Sequence, residues 1–246
     1  MARDTLGFWS DLGAAASKDW CEANYAMSPF IAEWWNTWSS LAIVAAGVWG
    51  LWRWRGGATE VRFRWAFAAI ALVGVGSVAF HATLLRLAQA SDELPMIYAG
   101  LLFAYLLRWR SEPADRTAAR RWQAAMALYA LAFTLAYLFV AGAFVFFIAS
   151  YAALVAWISL RTVQLALVAG SSQRAGEMGL LAVGAYVGGF LLLWLPENVL
   201  LSCDHPLQRL QLHALFHLTS ALGSTAWVLF ALADRAAVLD GGGEAS

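Results

Sequence analysis

Long apolar runs separated by short polar stretches dominate this chain of 246 residues. A transmembrane helix requires about 20 mostly apolar residues. Candidate runs lie at 34–54, 65–85, 94–108, 122–141, 143–161, 177–197 and 210–233. The third run is short, but flanking arginines can extend it by reaching toward the membrane surface. The pattern predicts an all-α integral membrane protein, a bundle of seven transmembrane helices.

No internal repeat divides the chain, so we expect a single membrane domain over 1–240, with 1–33 as an extracytoplasmic N-terminal segment. The last residues, 241–246, read GGGEAS and are predicted to form a disordered tail. The N-terminal stretch lacks a continuous apolar segment, so no cleavable signal peptide is expected.

Two local signals predict helix ends. Ser91 followed by Asp92, Glu93 and Pro95 is typical of a helix N-terminus, and predicts that the third helix begins there. All five prolines are expected at or near helix ends, where they interrupt no helical interior: Pro29, Pro95, Pro113, Pro196 and Pro206.

Composition agrees with a membrane protein and excludes several classes. Hydrophobic residues make up 61% of the chain and charged residues 13%, whereas soluble domains average about 25% charged residues. The net charge of zero excludes a strongly basic nucleic-acid-binding protein. The only lysine is Lys18, which excludes a retinal protein with a Schiff base in the last helix. A transporter is disfavoured because the polar residues gather toward one side of the bundle.

The basic residues predict the orientation. Twelve of the 16 flank loops on one side of the predicted bundle, and four lie on the other: Arg3, Lys18, Arg86 and Arg209. Because basic residues are enriched in cytoplasmic loops, the N-terminus is predicted outside, in a periplasm or lumen, and the C-terminus in the cytoplasm. Cys21 and Cys203 would then share an oxidising compartment, which predicts a disulfide between them.

Three of the four histidines fall at the outer ends of predicted spans. His213 and His217 are four residues apart and share one helix face. The topology brings them to the level of His81, Asp92 and Ser77. Three histidines with an open fourth position are typical of catalytic zinc. A single buried histidine is more often structural, and Ser77, after Gly74 and Gly76, suits close helix packing equally well. His205, in an outer loop, is expected to be solvated.

An acidic cluster precedes the first span: Asp19, Glu22, Asn24 and Glu33. Oxygen ligands at such positions suit calcium, although the spacing differs from an EF-hand loop. A solvated acidic segment is the alternative interpretation.

Four ordered segments resemble the alkaline ceramidases, which are seven-span zinc-dependent amidases in a superfamily with the adiponectin and progestin receptors. The segments are DWCEANYAMSPFIAEWWNTWSSL (19–41), GVGSVAFHATL (74–84), SDELPMIY (91–98) and LQLHALFHLTSALGS (210–224). The resemblance implies hydrolysis of ceramide, a membrane lipid substrate, to a sphingoid base and a free fatty acid. The expected location is a multi-pass position in a bacterial inner membrane, or in the ER or Golgi of a eukaryote.

The resemblance also implies roles for individual residues. Zinc would be bound by His81, His213 and His217, while Asp92 would act on the attacking water and Ser77 would assist the reacting carbonyl. Calcium would be bound by Asp19, Trp20 (through its carbonyl oxygen), Glu22, Asn24 and Glu33. Cys21 and Cys203 fall where the family places a disulfide.

Two alternative functions remain open. One is a related seven-span lipid hydrolase of the GPI-anchor remodelling type. The other is a receptor similar to the adiponectin receptors, with low hydrolase activity. The SDELPMIY segment and the acidic cluster favour the ceramidase interpretation over the receptor.

Overall fold

The computed structural model describes residues 7–56, 60–111, 116–140, 143–167 and 172–242. Within these ranges the chain consists of helices and loops, with one isolated antiparallel bridge between Ala15 and Leu85. The long helices are α1 (Trp34–Arg53), α2 (Val61–Thr83), α3 (Arg86–Arg108), α4 (Arg116–Phe139), α5 (Ala143–Ala166), α6 (Gln173–Gly189) and α7 (Leu212–Gly242). The prediction of an all-α fold is confirmed.

Five helical segments in the described ranges are long and apolar enough to cross a membrane: Val61–Thr83, Arg116–Phe139, Phe144–Ala166, Gln173–Leu200 and Leu212–Asp240. The helices α1 and α3 are 20 and 23 residues long but are not among these five segments. Asn36 and Thr37 lie in α1, while Asp92 and Glu93 lie in α3. The chain is thus a membrane protein, and seven spans with their orientation stay a prediction.

The start of the third helix differs from the prediction, because α3 begins at Arg86 rather than near Ser91. Its first turn is fixed by a tertiary contact in which the Arg86 N–H donates to the carbonyl oxygen of Ala14, at 2.8 Å. The N-cap interpretation of Ser91 is therefore wrong. Pro95 lies inside α3, so it interrupts a helical interior and provides no N–H for the Ser91 carbonyl.

The C-terminal side of α6 winds differently from an ordinary α-helix. Two π-helical segments, Phe190–Trp194 and Pro196–Leu200, continue it, so Pro196 also lies within a helical segment. At the other end of the chain, α7 continues through Gly242. Residues 243–246 lie outside the described residues, and the predicted tail stays a prediction.

Close packing around α2 places the polar side chains of its last turns. A Cβ atom on Gly74 would collide with the backbone of Ile43 and Val44 in α1, and one on Gly76 would collide with the backbone of Ser91 in α3. Glycine at these positions lets both neighbouring helices approach α2. The helices α4 and α5 bury far less of their surface than α2 and α7.

The N-terminal segment crosses the ends of α2 and α3 and is held there by backbone hydrogen bonds. The N–H groups of Ala16, Ala32 and Glu33 donate to the carbonyl oxygens of Leu84, Ala82 and His81, at 2.8–3.0 Å. A disulfide joins Cys21 to Cys203 in the α6–α7 connection, which confirms that prediction. This end of the bundle is called the histidine end below, because His81, His213 and His217 lie there.

Candidate metal centre and active site

The three histidines come from two helices that meet at the histidine end. His81 lies in the last turn of α2, while His213 and His217 occupy the first turns of α7. One potential ligand atom from each ring lies within 4.8 Å of the others. All three side chains are buried, with exposures of 5% or less. Among the described residues, no other group of three His, Cys, Asp or Glu side chains approaches this closely.

Two of the three histidines are hydrogen-bonded through Nδ1 to a neighbouring side chain. His81 Nδ1 lies 2.5 Å from Glu33 Oε2, and His217 Nδ1 lies 2.8 Å from Ser39 Oγ. The Ser39 hydroxyl donates to the Asn36 carbonyl oxygen, so it accepts from the Nδ1–H of His217. That tautomer leaves Nε2 of His217 with a lone pair available for a ligand.

The chemistry of this donor set fits zinc. Nε2 of His81 is buried and has no hydrogen-bond partner, which is costly for a polar atom unless a ligand occupies its lone pair. Neutral imidazoles whose other nitrogen is hydrogen-bonded to a carboxylate or hydroxyl are the usual zinc ligands. Three such ligands leave a fourth position for water or substrate.

Ser77 and Asp92 line the same cavity as His213 and His217. Ser77 Oγ is 2.9 Å from Ser40 Oγ, and the Ser40 hydroxyl donates to the Asn36 carbonyl oxygen at 2.7 Å. Asp92 is 9% exposed and lies in the second turn of α3. Four of the five residues predicted to take part in catalysis thus line one cavity, and the fifth, His81, lies in the ligand group of His213 and His217.

The cavity extends from this polar group along the interior of the bundle. On α7 its lining begins at His213 and ends at Trp227, a rise of about 21 Å for an α-helix. The Trp227 ring stacks on Phe103 of α3, with ring centres 4.2 Å apart, and its Nε1–H donates to Thr162 Oγ1 of α5. Between these ends the walls are mostly aliphatic and aromatic side chains. Such a cavity suits an alkyl chain whose polar end lies at the histidines.

The acidic cluster lies on the N-terminal segment next to this centre. Glu22 accepts hydrogen bonds from the N–H groups of Trp35 and Asn36, at 2.7 and 3.0 Å, and so caps the start of α1. Glu33 accepts from the N–H of Trp20 at 2.9 Å. The Asn24 amide donates to the carboxylate of Asp19, and the Asn24 Oδ1 atom is buried without a partner.

The electrostatics of the cluster favour a cation. Burial, together with the negative charge of Asp19, raises the pKa of Glu33 to about 8. Burial also raises the pKa of Glu22, against the effect of its two backbone donors. A calcium ion would offset this crowding and take oxygen ligands such as the unpartnered Asn24 Oδ1. The carboxylates are less closely gathered than the histidines, since they do not form a group within 4.8 Å.

Sequence reasoning missed three features of the centre. It gave Glu33 only a calcium role, although Glu33 also contacts His81. It assigned no role to Ser39, which contacts His217, or to Glu197, whose Oε2 lies 3.6 Å from His213 Nδ1. The available signal for Glu197 was a lone carboxylate within the otherwise mostly apolar stretch LLLWLPENVLL.

Comparison with known proteins identifies the family. The family model described as Ceramidase matches residues 13–241. The chain is 31% identical over 245 residues to alkaline ceramidase 3 of Mus musculus, an alignment that covers 95% of this chain and 88% of that protein. It is 41% identical over 93 residues to alkaline ceramidase YPC1 of Saccharomyces cerevisiae, covering 38% of this chain and 29% of that one. For the alkaline ceramidase of Arabidopsis thaliana the identity is 35% over 107 residues, covering 44% and 41%. The chain belongs to the ceramidase family.

Proposed function

We propose that this protein hydrolyses the amide bond of ceramide, releasing a sphingoid base and a free fatty acid, at a zinc centre formed by His81, His213 and His217. The observation that carries this proposal is the shared cavity. Its lining includes His213 and His217 together with Ser77 and Asp92, His81 lies in one ligand group with the two histidines, and the remaining walls are mostly apolar. Membership of the ceramidase family supplies the substrate class.

Zinc, when bound by three histidines, supplies a water molecule of lowered pKa and polarises a carbonyl group. The Asp92 carboxylate accepts the proton of the attacking water and returns it to the leaving nitrogen, so that the amine departs neutral. The Ser77 hydroxyl donates to the amide oxygen as negative charge develops there. Because the Ser40 hydroxyl donates to the Asn36 carbonyl oxygen, the Ser77 hydroxyl donates to Ser40 Oγ, 2.9 Å away, in the absence of substrate. It would rotate to the amide oxygen when substrate binds.

The apolar part of the cavity binds hydrocarbon. The walls come from α1, α2, α3, α5, α6 and α7, so a lipid chain placed here lies between helices and parallel to them. The Phe103–Trp227 pair closes the far end. Burial of a chain against these walls orients the amide at the histidines and excludes water from the remainder of the cavity.

Calcium binding at Asp19, Trp20, Glu22, Asn24 and Glu33 is a second part of this proposal. The ion would fix the N-terminal segment against the start of α1, because Glu22 already caps that helix. The unpartnered Asn24 Oδ1 and the crowded carboxylates support it.

The membrane arrangement is the third part. A seven-span topology with an outer N-terminus and a cytoplasmic C-terminus follows from the asymmetry of basic residues. It places the Cys21–Cys203 disulfide on the oxidising side of a bacterial inner membrane, or in the lumen of the ER or Golgi. The histidine end then faces outward.

Zinc analysis together with ceramide hydrolysis tests the function. The wild-type protein in detergent should contain one zinc per chain and release fatty acid from a labelled ceramide. His81→Ala should lose both zinc binding and turnover. The loss should exceed the roughly 10–100-fold effect of replacing a residue that only hydrogen-bonds to a zinc ligand. His205→Ala is the matched control, because His205 lies in the α6–α7 connection and its ring accepts from Leu207 N–H. Full activity of His81→Ala, or a wild type that cleaves no ceramide, would overturn the proposal.

A further inference from the structure

Glu197 is a carboxylate at the histidine end that the mechanism above does not use. It lies in the π-helical segment Pro196–Leu200 that extends α6. Single π-helical turns within α-helices are frequent at functional sites. Here the side chain is 6% exposed, although Val199 and Leu200 on the same segment are 65% exposed.

The carboxylate of Glu197 faces the ring of His213. Its Oε2 atom lies 3.6 Å from Nδ1 of His213, which is too long for a hydrogen bond. Both atoms are buried, and neither has another hydrogen-bond partner. The backbone N–H of Cys21, whose side chain forms the disulfide to Cys203, also donates to this carboxylate. The carboxylate is therefore held in place by this backbone bond. Its Oε2 atom is an acceptor without a donor, and it faces the unpaired Nδ1 of His213.

The other two histidines show how a neighbouring side chain can position a ligand ring. Nδ1 of His81 is bonded to Glu33, and Nδ1 of His217 to Ser39. Of the three rings only His213 has an unpaired Nδ1, and Glu197 is the carboxylate opposite it. A partner on Nδ1 fixes the tautomer of a zinc-binding histidine, sets the plane of its ring and increases the basicity of the ligating nitrogen.

We infer that Glu197 is the positioning residue of His213: it accepts the Nδ1–H and orients the ring for metal binding. This inference rests on the proposed zinc centre. Trp20, next to Cys21, stacks on the His213 ring, with the two ring centres 3.5 Å apart. The ring is thus held by an aromatic face and by a carboxylate, both of which are tied to the segment around Cys21.

Zinc affinity is the readout that distinguishes positioning from a purely structural role. The purified full-length protein, Glu197→Gln and Glu197→Asp are each titrated with a chelator of known zinc affinity, and bound zinc is measured by mass spectrometry. Glu197→Gln should weaken zinc binding by about 10–100-fold. Glu197→Asp keeps the negative charge but moves it away from His213 by one methylene group. Its zinc affinity should therefore lie between those of the wild type and Glu197→Gln. Glu177→Gln is the control, because Glu177 is an exposed carboxylate on α6 that contacts Gln173.

Thermal unfolding of the metal-free proteins completes the experiment. If Glu197→Gln lowers the melting temperature of the metal-free protein but leaves zinc affinity at the wild-type value, the role is structural and the inference is wrong. If Glu197→Gln does not fold, wild-type zinc affinity in Glu197→Asp overturns it equally. A wild-type protein that retains no zinc would overturn the proposed zinc centre itself. A wild type that binds zinc, with variants of the same zinc affinity, would overturn only the role given to Glu197.

Discussion

The Nδ1 atom of His81 lies 2.5 Å from the Oε2 atom of Glu33, and both side chains are fully buried. The same carboxylate accepts from the Trp20 N–H and from the amide of Asn36. Glu33 therefore joins the N-terminal segment, the first turn of α1 and the last turn of α2 at one point. A carboxylate in this position fixes the ring plane and tautomer of a histidine ligand.

Replacing Glu33 by glutamine should weaken zinc binding by about 10–100-fold, because the charge that orients His81 is lost. Chelator titration of the purified protein measures this directly. Glu177→Gln, an exposed charge removal on α6, should bind zinc as the wild type does. Wild-type zinc affinity in Glu33→Gln would contradict the role given to this contact.

Replacing Ser77 by alanine should lower kcat by about 10²–10³-fold, the usual loss when one donor to a developing oxyanion is removed. Zinc content should not change, because Ser77 contacts Ser40 and no histidine nitrogen. Ser91→Ala provides a control on the neighbouring helix, since its hydroxyl bonds only to the local Ala88 carbonyl oxygen. If Ser77→Ala turns over ceramide within about threefold of the wild type, Ser77 serves only in helix packing.

The sequence alone was enough to predict that the three histidines lie at the same end of the helical bundle. The four-residue spacing of His213 and His217 places both on one face of a helix, whatever its neighbours. Alternation of successive spans then brings that face to the same end of the bundle as His81. This prediction required only the order of the apolar runs and no knowledge of tertiary contacts.

The failures of prediction have a common cause in tertiary structure. The Ser91 signature is local, whereas α3 begins at Arg86 because the backbone of Ala14, 72 positions earlier in the chain, accepts its first N–H. Glu197 follows an apolar run and resembles the start of a solvated loop. Its π-helical winding, which directs it inward to His213, is invisible to a pattern of apolar positions.

Calcium dependence should be lost when Asn24 is replaced by alanine. The substitution removes the unpartnered Oδ1 and also the amide that holds the Asp19 carboxylate. Ceramide hydrolysis measured across a calcium titration should become flat. Asp204→Ala is the control, because it removes an exposed carboxylate next to Cys203. Its dependence of ceramide hydrolysis on calcium should match that of the wild type. An unchanged calcium response in Asn24→Ala would contradict the site.

Removing the Cys21–Cys203 disulfide should lower the free energy of unfolding by about 2–5 kcal/mol. The bond spans 182 residues, so it restricts most of the unfolded chain. Thermal unfolding of the Cys21→Ser, Cys203→Ser double variant measures the loss, and reduction of the wild type should reproduce it. Equal melting temperatures for the oxidised and reduced wild type would show that the bond constrains little.

Trp227 should set the longest hydrocarbon chain that the cavity accepts. It is the lining residue furthest from His213 along α7, and its ring is fixed by stacking on Phe103 and by the bond to Thr162. Trp227→Phe keeps an aromatic ring against Phe103 but removes the bulk of the indole and its bond to Thr162. The kcat/KM ratio of a longer-chain to a shorter-chain ceramide should therefore rise by about tenfold, the usual discrimination for one methylene group in an apolar pocket. Trp122→Phe is the matched control, because Trp122 is 48% exposed on α4. The same chain-length profile in both variants would show that another part of the cavity limits chain length.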